Sequence, residues 1–498
     1  MPVMSRLAPT RSTLDPDGPP EAGTVGVLVE RWPALDGLAP LDVADALPDR
    51  AGLALLETAR RGRRDRWTFL AVDPITVLDG PAEGADPFAE ARRLLDRLAG
   101  GHARIEGAPP FIGGLVGYLG YDLGGRFERL PHRIPDDQGL PLLRLALHDL
   151  VVAWDGAAGS AWLAGRALDG DVERLDRRAR GLRARVEAAV AARRTSPSAA
   201  DGGRAASPGL PTVFDTSMDR TAHRRAVGEV REAIAAGELY QANLARRLEA
   251  PFAGDPWPVY RQLRRGDPAR YAAFLDLGPD RATGVRRAIL SASPEPFLAV
   301  RPGGIVSTDP IKGTRPRGRH RAGERTLARE LLCSAKDQAE NVMIVDVLRN
   351  DLGRVCVPGS IRVPRLCRLE RTSTVQHLVS TITGRLAPGR DPFDLLAASF
   401  PGGSITGAPK IRAIELLEDL EPVRRGPYTG ALGWISPDGT MATSILIRTL
   451  VADGRRLTLH VGGGITWRSD PDAEWDETVA KARGPLGAIG AREASGAA

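Results

Sequence analysis

Residues 428–467, "YTGALGWISPDGTMATSILIRTLVADGRRLTLHVGGGITW", carry runs of strand-forming residues interrupted by "PDG" at 437–439 and "ADG" at 452–454. Asp-Gly between such runs is a hairpin signal, so the spacing predicts an antiparallel meander. Upstream, "GERTLARELLCSAKDQAENVMIVDVLRNDLG" at 323–353 lacks proline and repeats Leu327, Leu331, Val342 and Val345 at near-helical spacing. It reads as one long helix or two abutting ones that stop at Gly353. Long helices laid on antiparallel strands predict an α+β fold and argue against a doubly wound parallel sheet.

The 498 residues suffice for two lobes. The stretch 191–212, "AARRTSPSAADGGRAASPGLPT", is rich in Ala, Ser, Gly and Pro without hydrophobic period, and reads as a flexible linker. It separates an amino-terminal region, 1–190, from a second region, 213–490. Residues 491–498 read as a disordered tail.

Composition excludes several classes of function. The 68 Lys and Arg against 62 Asp and Glu leave a small surplus, and aromatics are only 5%. Basic runs such as "RRGRRDR" lack the interleaved stacking residues of a single-strand binder, so no nucleic-acid partner is expected. No run of about 18 apolar residues occurs, and "MPVMSRLAPTRSTLDPDGPP" has Pro and Asp where a signal peptide needs an apolar stretch. A cytoplasmic protein without membrane contact is expected. The three cysteines, Cys333, Cys356 and Cys367, form no CxxC pair, which fits a reducing compartment and no cysteine zinc site.

Several constellations bear on chemistry. In "DPDAEWDETVAKARG", 470–484, Asp470 and Pro471 open a short helix expected to close at Gly484 before Pro485. It sets Glu474, Glu477 and Lys481 on one face, a solvated charged face or part of a site. Asp337 and Glu340 repeat the spacing on the long helix. Were the two helices to face each other, four carboxylates would converge, which a Mg²⁺ ion would relieve.

"PGGSITGAPK", 401–410, is a Gly-rich loop before a helix, but Ala408 and Pro409 stand where a phosphate loop needs Lys and Ser or Thr. Its backbone N–H groups, and those around Gly463 and Gly464, suit a carboxylate or serve tight turns. Arg448 is expected in a strand on the face of Leu446 and Leu450, meeting an internal carboxylate or an anion. His377 alternates with Val375 and Val379, the pattern of a hydrogen-bonded core histidine. Glu295 in "SASPEPFL" suits a general acid of raised pKa if held in a partly apolar setting; alone, it and Lys312 each read equally as structural residues. Lys312, between Pro310 and Gly313 in "DPIKGT", suits a nucleophile if its charge is disfavoured.

In order along 215–490, "ELYQANL", "SASPEPFL", "PIKGTRPRG", "AKDQAENVMIVDVLRNDLGRV", "TVQHLVSTITG", "SFPGGSITGAPKIRAIELLE" and "GGGITWRSDPDAEWDETVAKA" resemble the chorismate-utilising enzymes. That family comprises anthranilate synthase large subunits, isochorismate and salicylate synthases and aminodeoxychorismate synthase component I. The first lobe, with "PFIGGLVGYLGYDLGGRFERLP", is similar to the amino-terminal region of the first and last of these.

The resemblance implies a two-lobed α/β/β/α arrangement of packed antiparallel sheets with outer helices. It implies Mg²⁺ held by Glu340 and Glu477, with Asp337 and Glu474 beside them through water. It further implies Tyr428 and Arg448 on the enolpyruvyl carboxylate, helped by the Gly464 backbone, with Lys481, Ser404 and His377 around the ring. A lysine at position 312 is the form of the aminodeoxychorismate synthase subgroup, whereas carbon-2 aminating relatives have a small residue there. The implied reaction joins chorismate and ammonia to give the precursor of 4-aminobenzoate for folate, through a lysine adduct assisted by Glu295. Asp309 departs from the arginine of many relatives. No cysteine lies in a G-x-C-x-G setting, so a separate glutamine amidotransferase subunit is implied.

Overall fold

The computed structural model describes residues 26–58, 66–99, 107–195, 209–318, 320–371 and 375–494. Among them, strands form a thirteen-stranded and a ten-stranded sheet, antiparallel throughout except where Arg492–Glu493 runs parallel to Val213–Thr216.

Period-two alternation explains how the sheets stack. On Leu150–Asp155 of the first sheet, Val151 and Ala153 enter a core shared with the second sheet, while Leu150, Val152 and Trp154 face the opposite way. On the second sheet Val116, Tyr118, Leu432 and Trp434 enter that shared core, and Leu115, Leu119, Ala431 and Ile435 face outward. Each outward face is covered by helices: Val172–Thr195, Pro256–Gly266 and Pro471–Ala488 on the first sheet, Ala89–Asp96, Ala335–Gly353 and Pro392–Ser399 on the second. The result is the α/β/β/α sandwich of an α+β fold. Both sheets span the chain, since Ala54–Glu57 pairs with Tyr271–Pro279 and Gly114–Leu119 with Ala431–Ile435.

Local departures from the expected elements have physical causes. The stretch 428–467 is two hairpins rather than one meander: Ala431–Ile435 with Met441–Ile445 lies in the second sheet, Thr449–Ala452 with Arg456–Ile465 in the first. The chain changes sheet at Leu446–Arg448, so Arg448 sits in a bend with φ +51°, outside any strand. The 323–353 stretch is two helices, Arg321–Cys333 and Ala335–Gly353, parted where the Ser334 hydroxyl caps the second by accepting from Asp337 N–H at 3.2 Å.

The last helix does not stop at Gly484. It runs Pro471–Ala488 through Pro485, because Ala482, Leu486 and Ile489 bury into the first sheet's outer core and outweigh the cost of the missing N–H. At the expected tail, Arg492–Glu493 is ordered by pairing with Val213 and Phe214, and Glu493 receives Arg246 at 2.6 Å. Residues 495–498, and 196–208 of the expected linker, lie outside the described residues.

Candidate active site

Lys312 lies on Ile311–Pro316, an edge strand paired with Val375–Arg385. The register slips between Lys312 and Thr314, a bulge at Gly313 with φ +74°. A Cβ at Gly313 would stand 2.9 Å from Asp337 Cβ and 2.9 Å from Leu331 Cδ1, so only glycine lets the strand meet the two helices this closely. The capped start of Ala335–Gly353 is thereby pressed against the lysine strand.

The Lys312 ammonium donates to the Ser404 carbonyl at 3.1 Å, and the Ser404 hydroxyl donates to Glu295 Oε1 at 3.2 Å. Burial pushes the lysine pKa down, opposed by Glu340 and Glu295 and assisted by Lys481. Burial also pushes Glu295 up, opposed by Lys312 and Ser404. A lysine biased towards the amine and a carboxyl biased towards the acid therefore share one serine. Asp309 does not join them: it accepts from Arg365 at 3.3 Å and from Thr381 Oγ1.

Glu340 on Ala335–Gly353 and Glu474 and Glu477 on Pro471–Ala488 supply the carboxylates. Glu474 and Glu477 approach the strand Arg456–Ile465 at Gly463, where an added Cβ would lie 3.2 Å from Glu474 Oε2 and 3.7 Å from Glu477 Oε1. Lys481 donates to the Gly462 carbonyl at 2.7 Å and pairs with Glu477 at 2.7 Å. Lys336 stands between Glu340 at 3.9 Å and Glu474 at 3.8 Å. Burial raises the pKa of Glu340 and of Glu474; at Glu477 burial acts the same way, but Lys481, Lys336 and Lys312 together more than offset it, leaving the carboxyl below its usual range.

Thus Lys312, Glu295, Ser404, Glu340, Glu474, Glu477 and Lys481 form one electrostatically coupled group, with Asp337 behind Gly313. The remaining candidates have other neighbours. Tyr428 is buried, stacked on His460 with ring centroids 5.0 Å apart and hydrogen-bonded to Asn243. Gly464 faces the buried Gln241 amide rather than the carboxylates. Arg448 pairs with Asp267 at 3.8 Å beside Gly484, which its position in the bend explains. His377 shares a hydrogen bond with Thr314 Oγ1 at 2.8 Å, on the strand face opposite Leu378, the register partner of Lys312.

Among the described residues no three His, Cys, Asp or Glu side chains form a complete metal cage. The donors nevertheless suit Mg²⁺, which takes one or two carboxylates and keeps several waters. Glu340 Oε1 is buried without a hydrogen-bond partner, Lys336 and Lys481 stand against Glu340, Glu474 and Glu477, and Arg315 pairs with Asp337 at 3.1 Å. Sequence reasoning missed Lys336, although "AKDQAEN" contains it, because i, i+4 pairing to Glu340 is the common pattern of any exposed helix.

Among the described residues no helix is long and apolar enough to cross a membrane. A family model described as chorismate binding enzyme matches residues 55–487. Anthranilate synthase component 1 of Streptomyces coelicolor is 38% identical over 473 residues, 92% of this chain and 88% of that protein. Aminodeoxychorismate synthase component 1 of Klebsiella aerogenes is 39% identical over 401 residues, 80% of this chain and 81% of that protein. The crystal structure of anthranilate synthase component I from Streptococcus pneumoniae TIGR4 matches with a TM-score of 0.73 at 27% identity, covering 92% of this chain and 99% of that one. Near-equal identity to two differently named enzymes does not separate the two activities, but with the fold and the matched span it shows that the chain belongs to the chorismate binding enzyme family.

Proposed function

We propose that the protein is an aminodeoxychorismate synthase component I, converting chorismate and ammonia to 4-amino-4-deoxychorismate. The observation that carries the reading is Lys312: a partly buried amine with a depressed pKa, held by the Ser404 carbonyl and linked through that serine to an acid, Glu295.

Neutral Lys312 adds its lone pair to ring carbon 2 of chorismate. The diene electrons shift, the bond from carbon 4 to its hydroxyl breaks, and Glu295 supplies the proton that lets it leave as water. Ammonia then attacks carbon 4, the electrons shift back, and the bond from carbon 2 to the lysine nitrogen breaks. One proton of the entering nitrogen returns to the Glu295 carboxylate, so the amine ends where the hydroxyl was. Glu340 and Glu477 would hold Mg²⁺, with Asp337 and Glu474 supporting them through water; when bound, the ion supplies Lewis-acid withdrawal of charge at the ring carboxylate. Tyr428, Arg448 and the Gly464 backbone orient the enolpyruvyl carboxylate, and Lys481, Ser404 and His377 line the ring, which aligns carbon 2 with the lysine.

The relatives are named as component 1, and the chain has three cysteines with none in a G-x-C-x-G setting. Ammonia is therefore supplied by a separate glutamine amidotransferase subunit, in a cytoplasmic complex serving 4-aminobenzoate and folate synthesis. A second reading, anthranilate synthase component I, is favoured by the Streptomyces relative, which covers more of the chain. Incubating the protein with chorismate, Mg²⁺ and excess ammonium salt separates the two by chromatography and mass spectrometry. 4-Amino-4-deoxychorismate is expected; anthranilate would overturn the proposal, and absence of turnover would favour a non-catalytic chorismate-binding homologue.

A further inference from the structure

Arg425 is buried, far from any solvent that would stabilise its charge, and all five of its N–H groups are used. Nε and Nη2 donate to Glu421 at 2.8 and 2.6 Å. Nη1 donates to the Ile405 carbonyl at 2.9 Å and to Thr429 Oγ1 at 3.3 Å, and Nη2 to the Asn243 carbonyl at 2.6 Å. One guanidinium thus ties the Gly-rich loop to the strand Gln241–Pro251 and to Thr429, the residue after Tyr428.

The contact at Ile405 matters because the preceding carbonyl, that of Ser404, is the acceptor of the Lys312 amine. Fixing the Ile405 carbonyl fixes the peptide next to the one the lysine uses. The other side of Arg425 is held by the amino-terminal region. Its guanidinium lies 4.6 Å from the Tyr121 ring, Tyr121 N–H donates to the Gly426 carbonyl at 2.7 Å, and Asp122 Oδ2 accepts from Gly426 N–H at 3.1 Å. Gly426 has φ +55°, a left-handed conformation that favours glycine, and the Gln138 side chain of the amino-terminal region lies against it.

We propose that Arg425 is a positioning residue for Lys312, setting the carbonyl that holds the amine and conveying to it the grip of the amino-terminal region; this rests on the reading of Lys312 as the nucleophile. An ammonium cannot reproduce the bidentate fork to Glu421 together with the two carbonyl contacts. In Arg425→Lys the loop carrying Ser404 loosens, water reaches Lys312, and the lysine returns towards ordinary behaviour.

The test is the pH dependence of labelling at Lys312 by an amine-selective reagent, read by peptide mass mapping on the whole protein without substrate. The wild type is expected to label with a midpoint below that of a free lysine. In Arg425→Lys the midpoint is expected to rise by about one pH unit, a tenfold change in the fraction of free amine at a given pH. The paired Arg425→Met, Glu421→Met variant removes both buried charges together, so it keeps the measurement possible if the lysine variant does not fold, and the same rise is expected. A depressed wild-type midpoint that stays unchanged in a folded variant overturns the positioning role alone. An ordinary wild-type midpoint overturns it together with the nucleophile reading.

Discussion

Lys410, the last residue of "SFPGGSITGAPK", and Lys312, whose ammonium reaches the Ser404 carbonyl of that segment, meet opposite environments. Lys410, at the start of Lys410–Leu420, donates to Asp351 Oδ2 at 2.9 Å and to the Ser399 carbonyl at 3.0 Å, and Asp351 is buried. Lys312 donates to a carbonyl alone, and Glu295 is linked to it through Ser404. A lysine paired directly with its counter-ion, as Lys410 is, braces the loop. One denied a direct counter-ion is pushed towards the free amine, the form that attacks carbon. Reactivity is thus assigned by where the carboxylate stands.

The largest effect that would break this contrast lies at Lys312. Lys312→Ala is expected to lower carbon-4 amination by about 10³-fold or more while leaving the thermal midpoint unchanged or raised, since no ion pair is lost; chromatographic product analysis and calorimetry check the two halves. Lys410→Met should do the reverse, costing about 3 kcal/mol of stability by leaving Asp351 buried and uncompensated, as measured by urea unfolding. Equal loss of stability in both variants would erase the distinction.

Glu295→Gln sharpens it through pH. Activity needs Lys312 neutral, so the rate rises with pH as the lysine loses its proton, and it needs Glu295 protonated, so the rate falls as that carboxyl ionises. The glutamine variant should be slower by about 10²-fold and should keep the rise but lose the alkaline fall. Its rise should level off below about pH 10.4, the ordinary lysine value, because burial depresses Lys312. The smallest effect is expected at Lys336, which stands between Glu340 and Glu474. Lys336→Ala should tighten Mg²⁺ binding by about threefold in a calorimetric titration, a competing cation having been removed; weaker binding would mean the lysine supports the ion instead.

Much of this was legible in the chain because the signals were local. Alternation and Asp-Gly turns marked the antiparallel hairpins, and i, i+3 spacing placed Glu474 with Glu477 and Asp337 with Glu340. What could not be read depended on distant packing. The change of sheet at Leu446–Arg448 moved Arg448 out of a strand, and burial of Leu486 carried the last helix through Pro485. Gly463 and Gly464 look alike in sequence, yet alternation turns one towards the carboxylates and the other towards Gln241. Arg425 acts through Ile405, Asn243 and Tyr121, none of which a sequence motif connects.

The most direct test of Lys312 as a reagent is intact-mass spectrometry of the wild type and of Lys312→Ala after brief exposure to chorismate and Mg²⁺ without ammonia. The account predicts an adduct on the wild type equal to chorismate less water, mapped to the peptide containing Lys312 and absent from the variant. An unmodified wild type that still aminates carbon 4 on addition of ammonia, or a variant that does so at the wild-type rate, would contradict it.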